Sequence, residues 1–157
     1  MKVIDQALLE KVIIERSCTS HKGDYGRLLL LGGTYPYGGA IIMAALAAVK
    51  SGAGLVTIGT DRENIPALHS HLPEAMAFAL QDQQLLKEQL DKAEVVLLGP
   101  GLGDDAFGEN LVKQAFDSLR QNQILIVDGG ALTILARISL SFPSSQLILT
   151  PHQKEWE

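Results

Sequence analysis

Two short apolar runs and an alanine-rich stretch alternate within residues 22–60. Arg27–Leu31 is a continuous apolar run that ends at a glycine pair, which is typical of a strand buried on both faces of a parallel sheet. Residues 39–50 combine alanines with larger apolar side chains, a composition that favours a helix packed closely on a sheet. Two glycines end this helix, and residues 55–58 begin a second strand. The pattern predicts one βαβ unit.

The rest of the chain repeats the same alternation. Further apolar runs predict strands at residues 75–80 and 94–98, at Ile124–Val127 and at Gln146–Leu149. Helical spacing predicts helices at residues 61–72, at residues 82–92, after residue 103 with an end near Arg120, and at Gly130–Arg137. An amino-terminal helix is predicted within residues 1–16, with Asp5 as its cap. The chain is therefore predicted to be a single domain over residues 1–157, a three-layer α/β/α fold with a mainly parallel sheet.

Composition narrows the class of protein. At 157 residues, 46% hydrophobic and 20% charged, the chain fits one globular domain. A net charge of −5 gives no basic surface for nucleic acid, and Cys18, the single cysteine, cannot form an internal disulfide. No apolar run of about 18 residues predicts a membrane span, so the cytoplasm is the expected compartment. His69 and His71 have no acidic or cysteine neighbour that completes a metal site, and no metal site is predicted.

Glycine-rich turns follow two of the predicted strands, at the edge where open α/β sheets bind ligands. Gly33 and Gly38 satisfy the first half of a phosphate loop, but Gly39-Ala40 stands where lysine and serine or threonine are required. The second turn runs from Gly99 through Gly101 and Gly103, and an aspartate after it can cap the next helix. Either turn is also explained by tight backbone packing alone.

Two further groups follow the last two strands. Asp128 comes directly after Ile124–Val127, where a carboxylate can accept a hydrogen bond from a ligand hydroxyl or hold Mg²⁺ through water. The alternative is that Asp128 only caps the following helix. After Gln146–Leu149, Thr150 as cap, Pro151 at the first position and Gln153 at the third predict a capping-box helix start.

The ordered set of motifs resembles the NAD(P)H-hydrate dehydratases, carbohydrate-kinase-like repair enzymes of the ribokinase-like superfamily. The matching residues, from about Ser20 to the last residue, are His21-Lys22-Gly23, Tyr25-Gly26, Gly32-Gly33, Tyr37-Gly38-Gly39-Ala40, Ser51 to Thr57, Gly99 to Gly103, Asp128 to Leu132, and Thr150-Pro151-His152 with Glu155.

This resemblance implies a nucleotide-dependent dehydration of the (6S)-hydrate of NADH or NADPH, with ADP (or ATP) and Mg²⁺ as cofactors. The nucleotide phosphorylates the hydrate's hydroxyl and phosphate then leaves. The residues that the resemblance places at the substrate are Ala40, Gly101, Gly103, Asp128 and His152. A homo-oligomer, in the family often a tetramer, is also implied.

The family pattern continues beyond the motif at His152, with a nucleotide-binding lysine loop and a late glycine-rich segment whose aspartate is the catalytic base. Neither occurs in this sequence, so no catalytic residue is assigned, and we expect the amino-terminal portion of a ribokinase-like domain. Two alternatives stay open: a ribokinase-like kinase of a small molecule such as a vitamin precursor, and a non-catalytic remnant that binds a dinucleotide or assembles with another chain.

Overall fold

The computed structural model describes residues 4–13, 15–141 and 146–156. The strands in this part of the chain are β1 Arg27–Leu31, β2 Leu55–Thr60, β3 Met76–Ala79, β4 Val95–Leu98, β5 Ile124–Val127 and β6 Gln146–Leu149. They form one sheet in the order β3-β2-β1-β4-β5-β6, and all neighbours are parallel. The predicted α/β class with a mainly parallel sheet is confirmed.

Helices occupy most of the connections between the strands. They are α1 Gln6–Val12, α2 Gly38–Lys50, α3 Asn64–His71, α4 Gln83–Lys92, α5 Ala106–Ser118, α6 Gly130–Arg137 and α7 Gln153–Trp156. A short 3-10 helix, Lys22–Tyr25, occupies part of the polar loop predicted before β1. The end of α5 predicted near Arg120 is confirmed: the helix ends at Ser118 with Leu119 as its cap, and the N–H of Arg120 then donates to the side chain of Gln123 at 2.7 Å in the turn into β5.

The helices cover the two faces of the sheet unequally. On one face, α4, α5 and α6 pack on a continuous core that spans β1 to β5. On the other face, α2 and α3 pack on β1 and β2, around Leu30, Ile41 and Ile58. Over β4 and β5 that second face carries half-buried apolar side chains. The sheet is therefore fully layered only on one side.

The amino-terminal helix differs from its prediction. Asp5 does cap α1, accepting from the N–H of Leu8 at 2.9 Å, but the helix spans only Gln6–Val12. Its apolar residues at helical spacing are exposed, from 42% for Leu8 to 73% for Ile4. The helical spacing predicted that these residues share one side of α1. Among the residues that the structure describes, no core element packs on that side. No helix in the described residues has the length and apolarity to cross a bilayer.

The strand order places the switch point of the sheet between β1 and β4. Successive strands run outward from β1 to β3 on one side and from β4 to β6 on the other. The carboxyl ends of β1 and β4 are in register, with Leu31 paired to Leu98. In open α/β sheets the crevice outside the carboxyl ends at such a point is where ligands bind. The glycine turns after β1 and β4 flank this crevice.

Candidate functional site

The β1–α2 and β4–α5 loops are joined by backbone hydrogen bonds. The N–H of Gly33 donates to the carbonyl of Pro100 at 2.8 Å, and the N–H of Thr34 donates to the carbonyl of Gly101 at 2.8 Å. These bonds continue the pairing of β1 with β4 beyond the ends of the strands. The two loops thus form one surface above the switch point.

Glycine is required on this surface because the backbones approach closely. A Cβ at Gly32 would overlap the carbonyl oxygen of Pro100, and one at Gly101, where φ is +64°, would overlap the carbonyl oxygen of Tyr37. At Gly99, with φ of +118°, a Cβ would overlap the carbonyl oxygen of Asp128. The close-packing interpretation of these glycines is confirmed. A contact of Gly101 with a substrate stays a prediction.

The Thr34 hydroxyl fastens the two loops together. Its oxygen accepts from the N–H of Gly103 at 2.7 Å and lies 3.3 Å from the carbonyl oxygen of Gly101, to which it donates. The amide of Gly103 is therefore engaged within the protein, and a contact of Gly103 with a substrate stays a prediction. Among the described residues, the N–H of Gly101 has no acceptor and is open to a ligand.

A second polar group anchors the β1–α2 loop from below. The carbonyl of Gly33 accepts from the hydroxyl of Thr60 at 3.0 Å and from the side-chain amide of Asn64 at 2.5 Å. Thr60 is fully buried at the end of β2, and Asn64 begins α3. Sequence reasoning missed Thr34, Thr60 and Asn64, because their partners lie far away along the chain.

Helix α2 begins at the crevice without a side-chain cap. Tyr37 occupies the cap position but makes no capping hydrogen bond, so backbone amides of the first turn, which includes Ala40, point beyond the helix end. Ala40 is half-buried. Tyr35 and Tyr37, joined through Pro36 with a cis Tyr35–Pro36 bond, are 77% and 62% exposed. Ala40 therefore lies in the first turn of α2, and its contact with a substrate stays a prediction.

Asp128 stands at the carboxyl end of β5. Its Oδ1 accepts a hydrogen bond from the hydroxyl of Thr150 at 2.8 Å, across the neighbouring strand end. Helix α6 has Gly129, with φ of +51°, at its cap position and no side-chain cap. The alternative in which Asp128 caps α6 is therefore wrong, because its carboxylate turns toward β6. In the described residues, the second carboxylate oxygen makes no hydrogen bond.

The start of α7 is shifted from its prediction. The helix begins at Gln153, so His152 precedes it, and Glu155 is the third helical residue. The carboxylate of Glu155 accepts from the N–H of His152 at 2.8 Å, the reciprocal half of a capping box. Thr150 does not cap the helix, because its hydroxyl faces Asp128 and the carbonyl of Val127. The imidazole of His152 is exposed at the same sheet edge.

The five residues predicted at the substrate lie on loops and a helix start at one sheet edge. Contacts connect three of them: Thr34 joins Gly101 and Gly103, and the backbone of Gly99 lies against Asp128, whose carboxylate Thr150 engages. No three acidic, histidine or cysteine side chains in the described residues group together to hold a metal ion. Asp128 supplies a carboxylate to this edge, His152 an imidazole, and Gly101 and the start of α2 backbone amides, and these groups suit a polar organic ligand.

The family model and the curated proteins that match this chain carry the same description. The sequence model of a carbohydrate-kinase-like family, described as NAD(P)H-hydrate dehydratase, matches residues 28–157. A protein of Streptococcus pneumoniae named ADP-dependent (S)-NAD(P)H-hydrate dehydratase is 90% identical over 157 residues, which is 100% of this chain and 54% of that protein. The chain spans about half the length of the curated relatives it matches.

Two solved structures of similar proteins superpose well on this chain. The crystal structure of a protein from Streptococcus mutans superposes with a TM-score of 0.92 at 54% identity, covering 99% of this chain and 56% of that one. The ADP/ATP-dependent NAD(P)H-hydrate dehydratase of Bacillus subtilis, co-crystallised with ATP/Mg²⁺, superposes with a TM-score of 0.77 at 30% identity, covering 97% and 53% of the two chains.

Proposed function

The chain belongs to the NAD(P)H-hydrate dehydratase family, and we propose that its sheet edge binds the hydrate of NADH or NADPH in an ADP-dependent dehydration that restores the reduced cofactor. The observation that carries this proposal is the continuous edge from Thr34 to Thr150, which offers a carboxylate beside open backbone amides at the switch point of the sheet. The names of the matched relatives support the same activity.

Asp128 is the residue that fixes the hydrated ring in this proposal. Because the Thr150 hydroxyl occupies Oδ1, the carboxylate is held in one orientation with Oδ2 directed to a ligand hydroxyl or amide. A hydrogen bond to a charged group contributes about 1.5–3 kcal/mol. Thr150 acts through Asp128 and is a positioning residue.

The glycine surface accommodates the flat part of the substrate. A planar ring or a phosphate at this surface would accept a hydrogen bond from the N–H of Gly101, which has no acceptor among the described residues. Ala40 at the start of α2 keeps the side of the crevice small, and the first-turn amides of that helix favour an anion. His152 supplies an exposed imidazole to the polar part of the substrate.

The chemistry needs a phosphoryl donor. ADP transfers its terminal phosphate to the hydroxyl of the hydrate, and AMP leaves; loss of that phosphate together with a neighbouring proton then restores the double bond. In phosphoryl-transfer sites Mg²⁺ is held by one or two carboxylates together with phosphate oxygens and water. Since no three acidic, histidine or cysteine side chains of the described residues form a cage for the ion, Mg²⁺ here would be held mainly by the phosphates of the nucleotide.

The test is a chimera in which this chain replaces the matched part of the Streptococcus mutans relative. Recovery of the reduced-nicotinamide absorbance is followed after hydrated NADH and ADP are added. We expect recovery, with a rate at least about tenfold lower for Asp128→Asn, because a charged hydrogen bond to the substrate is lost. Asp117→Asn, an exposed carboxylate on α5, is the matched control and should leave the rate unchanged.

Two results would contradict the proposal. Equal rates for the chimera with and without Asp128→Asn would remove Asp128 from the site. Accumulation of a phosphorylated product of another small molecule, without recovery of absorbance, would favour the kinase alternative. The proposal also includes a cytoplasmic location, where reduced nicotinamide cofactors and ADP are found, and assembly into a homo-oligomer.

A further inference from the structure

The side chain of Asn64, at the start of α3, reaches the β1–α2 loop. Its amide donates to the carbonyl of Gly33 at 2.5 Å and to the hydroxyl of Thr60 at 3.1 Å. Asn64 is not among the five residues predicted at the substrate. On the basis of the function proposed above, we infer that Asn64 is a positioning residue of the hydrate site, which holds this loop so that the open N–H of Gly101 and the first turn of α2 face the ligand.

The carbonyl of Gly33 has more donors than it needs. Besides the amide of Asn64, the hydroxyl of Thr60 donates to it at 3.0 Å and the N–H of Asp61 at 3.2 Å. A carbonyl oxygen has two lone pairs, so Thr60 and Asp61 still satisfy this one when Asn64 is replaced. The third donor is therefore not required to avoid an unpaired buried group. It restricts instead the direction in which the carbonyl of Gly33 points.

The N–H of Gly33 passes this orientation on to the β4–α5 loop. It donates to the carbonyl of Pro100 at 2.8 Å. The same peptide group carries the N–H of Gly101, which has no acceptor among the described residues. A trans peptide group is planar, with its C=O and N–H on opposite sides, so holding the carbonyl of Pro100 also fixes the direction of the Gly101 N–H. Two hydrogen bonds thus connect Asn64 with an amide that is open to a ligand.

Asn64 also contacts the other end of the β1–α2 loop. Gly38, the first residue of α2, is buried. The three atoms nearest to a Cβ built on Gly38 all belong to the side chain of Asn64, so glycine leaves the space that this amide occupies. Since Gly33 and Gly38 lie at the two ends of the loop, one side chain holds both the segment that follows β1 and the start of α2.

The effect of this anchor concerns binding more than folding. The first turn of α2 has no side-chain cap, so its backbone amides, like the N–H of Gly101, are donors whose direction is set by the loop. A hydrogen bond weakens steeply as its angle departs from linearity. A small rotation of the loop therefore costs contacts to a phosphate or carbonyl oxygen of the dinucleotide, while the sheet and its core stay unchanged.

The test uses the chimera described above with two substitutions of Asn64. Asn64→Leu nearly keeps the shape of the side chain and fills the space beside Gly38, but has no N–H. Asn64→Ala removes both the hydrogen bond and the contact. Asn110→Ala, at an exposed asparagine on α5, is the matched control. Steady-state rates at saturating ADP give kcat and KM for hydrated NADH, and mass spectrometry follows hydrogen exchange of the backbone amides in the same variants.

We expect both Asn64 variants to raise KM for hydrated NADH by about fivefold or more and to keep kcat within about twofold, because the binding amides lose their direction while the reacting groups stay in place. Hydrogen exchange should accelerate in segments 33–38 and 99–103 and stay unchanged in α5. Asn110→Ala should change neither the kinetics nor the exchange of the two loops.

A lowered kcat with unchanged KM would overturn the role of Asn64, since loss of folded protein alone produces that result. Unchanged KM would overturn it whether or not exchange changes. Circular dichroism checks the fold: Asn64→Leu decides the result if Asn64→Ala unfolds, and unfolding of both variants would also overturn the role. A chimera that is inactive before any substitution contradicts the proposed activity instead, and the exchange of the two loops, which needs no turnover, then decides whether Asn64 positions them.

Discussion

The two ends of the sheet's carboxyl edge are built differently. At the β1 and β4 end, the loops are cross-linked by backbone hydrogen bonds from Gly33 and Thr34, and the carbonyl of Gly33 is anchored by buried Thr60 and by Asn64. At the β5 and β6 end, Thr150 supplies the contacts: its hydroxyl lies within hydrogen-bond distance of Asp128 and of the carbonyl of Val127, and its N–H donates to the same carbonyl. Thr150 and His152 are exposed, and on the sheet face away from α4–α6 the strands β5 and β6 carry half-buried and exposed apolar side chains.

The difference separates the end of the edge that holds the loop backbones in place from the end that carries ionisable side chains. Within the glycine surface, the carbonyl of Gly33, the hydroxyl of Thr34 and the N–H of Gly103 all have partners in the chain. The side chains that carry charge or a proton lie at the other end, where little packs against them.

The largest effect is expected where the two ends meet, at Gly99. Gly99→Ala introduces a Cβ that overlaps the carbonyl oxygen of Asp128 at a φ of +118°, and we expect the free energy of unfolding to fall by about 3 kcal/mol. Urea denaturation measures it. Gly39→Ala is the control, because nothing lies within 4 Å of its Cβ and alanine favours the helix by up to about 1 kcal/mol. Equal effects of the two substitutions would contradict the packing described here.

A smaller effect is expected at Thr34, within the glycine surface. Thr34→Val removes the acceptor of the Gly103 N–H and leaves that partly buried amide unpaired, which should lower the free energy of unfolding by about 1–3 kcal/mol. Thr34→Ser keeps the hydroxyl and should restore most of the loss. Hydrogen exchange at the Gly103 amide reports the contact directly. Unchanged protection in Thr34→Val would show that the hydroxyl does not hold the two loops together.

At the other end, Thr150→Val should change stability by less than about 0.5 kcal/mol, because the side chain is exposed. Its effect should appear in the affinity for hydrated NADPH, lowered severalfold as Asp128 loses its orientation. Thr150→Ser should bind as the unmodified chain does. If Thr150→Val lowered the free energy of unfolding as much as Thr34→Val does, the proposed difference between the two ends of the edge would be contradicted.

The smallest effect is expected at Glu109 on α5, remote from both ends. Its hydrogen bond to Lys113 at 2.5 Å, together with the charge of that lysine, lowers the pKa of Glu109 in the folded chain. The stabilisation is therefore present above the carboxyl's ordinary pKa and is lost as the pH falls through the lowered value. Glu109→Gln should be slightly less stable than the unmodified chain at neutral pH, and the gap should close in acid. A gap that widens in acid would contradict the pairing.

The sequence predicted most of the sheet, because runs such as Arg27–Leu31 and Ile124–Val127 are apolar on both faces and carry no competing pattern. It also located the glycine turns and Asp128. The contacts of Thr34 were not predictable, since its partners lie 67 and 69 residues away along the chain. The cap of α7 was misplaced because Thr150 and His152 both fit a capping pattern, and only the tertiary contact with Asp128 decides between them.

The sequence also could not predict that the face of β4 and β5 away from α4–α6 is only half-buried, for a related reason. Ile124–Val127 has the same apolar pattern whether a helix covers one of its faces or both, and which face is left bare depends on the strand order. The exposed apolar side of α1 is a second example of a pattern that does not reveal what packs on it. Its helical spacing indicates a shared apolar side but not a neighbour for it.

The measurement that tests the account most directly is a nuclear magnetic resonance titration of the isotopically labelled chain with hydrated NADPH. We predict that the amide signals of Gly101, Asp128 and His152 shift progressively with ligand, while those of α4 and α5 stay in place. Shifts confined to residues away from the carboxyl edge, or no shifts at millimolar ligand, would contradict the assignment of the hydrate site to this edge.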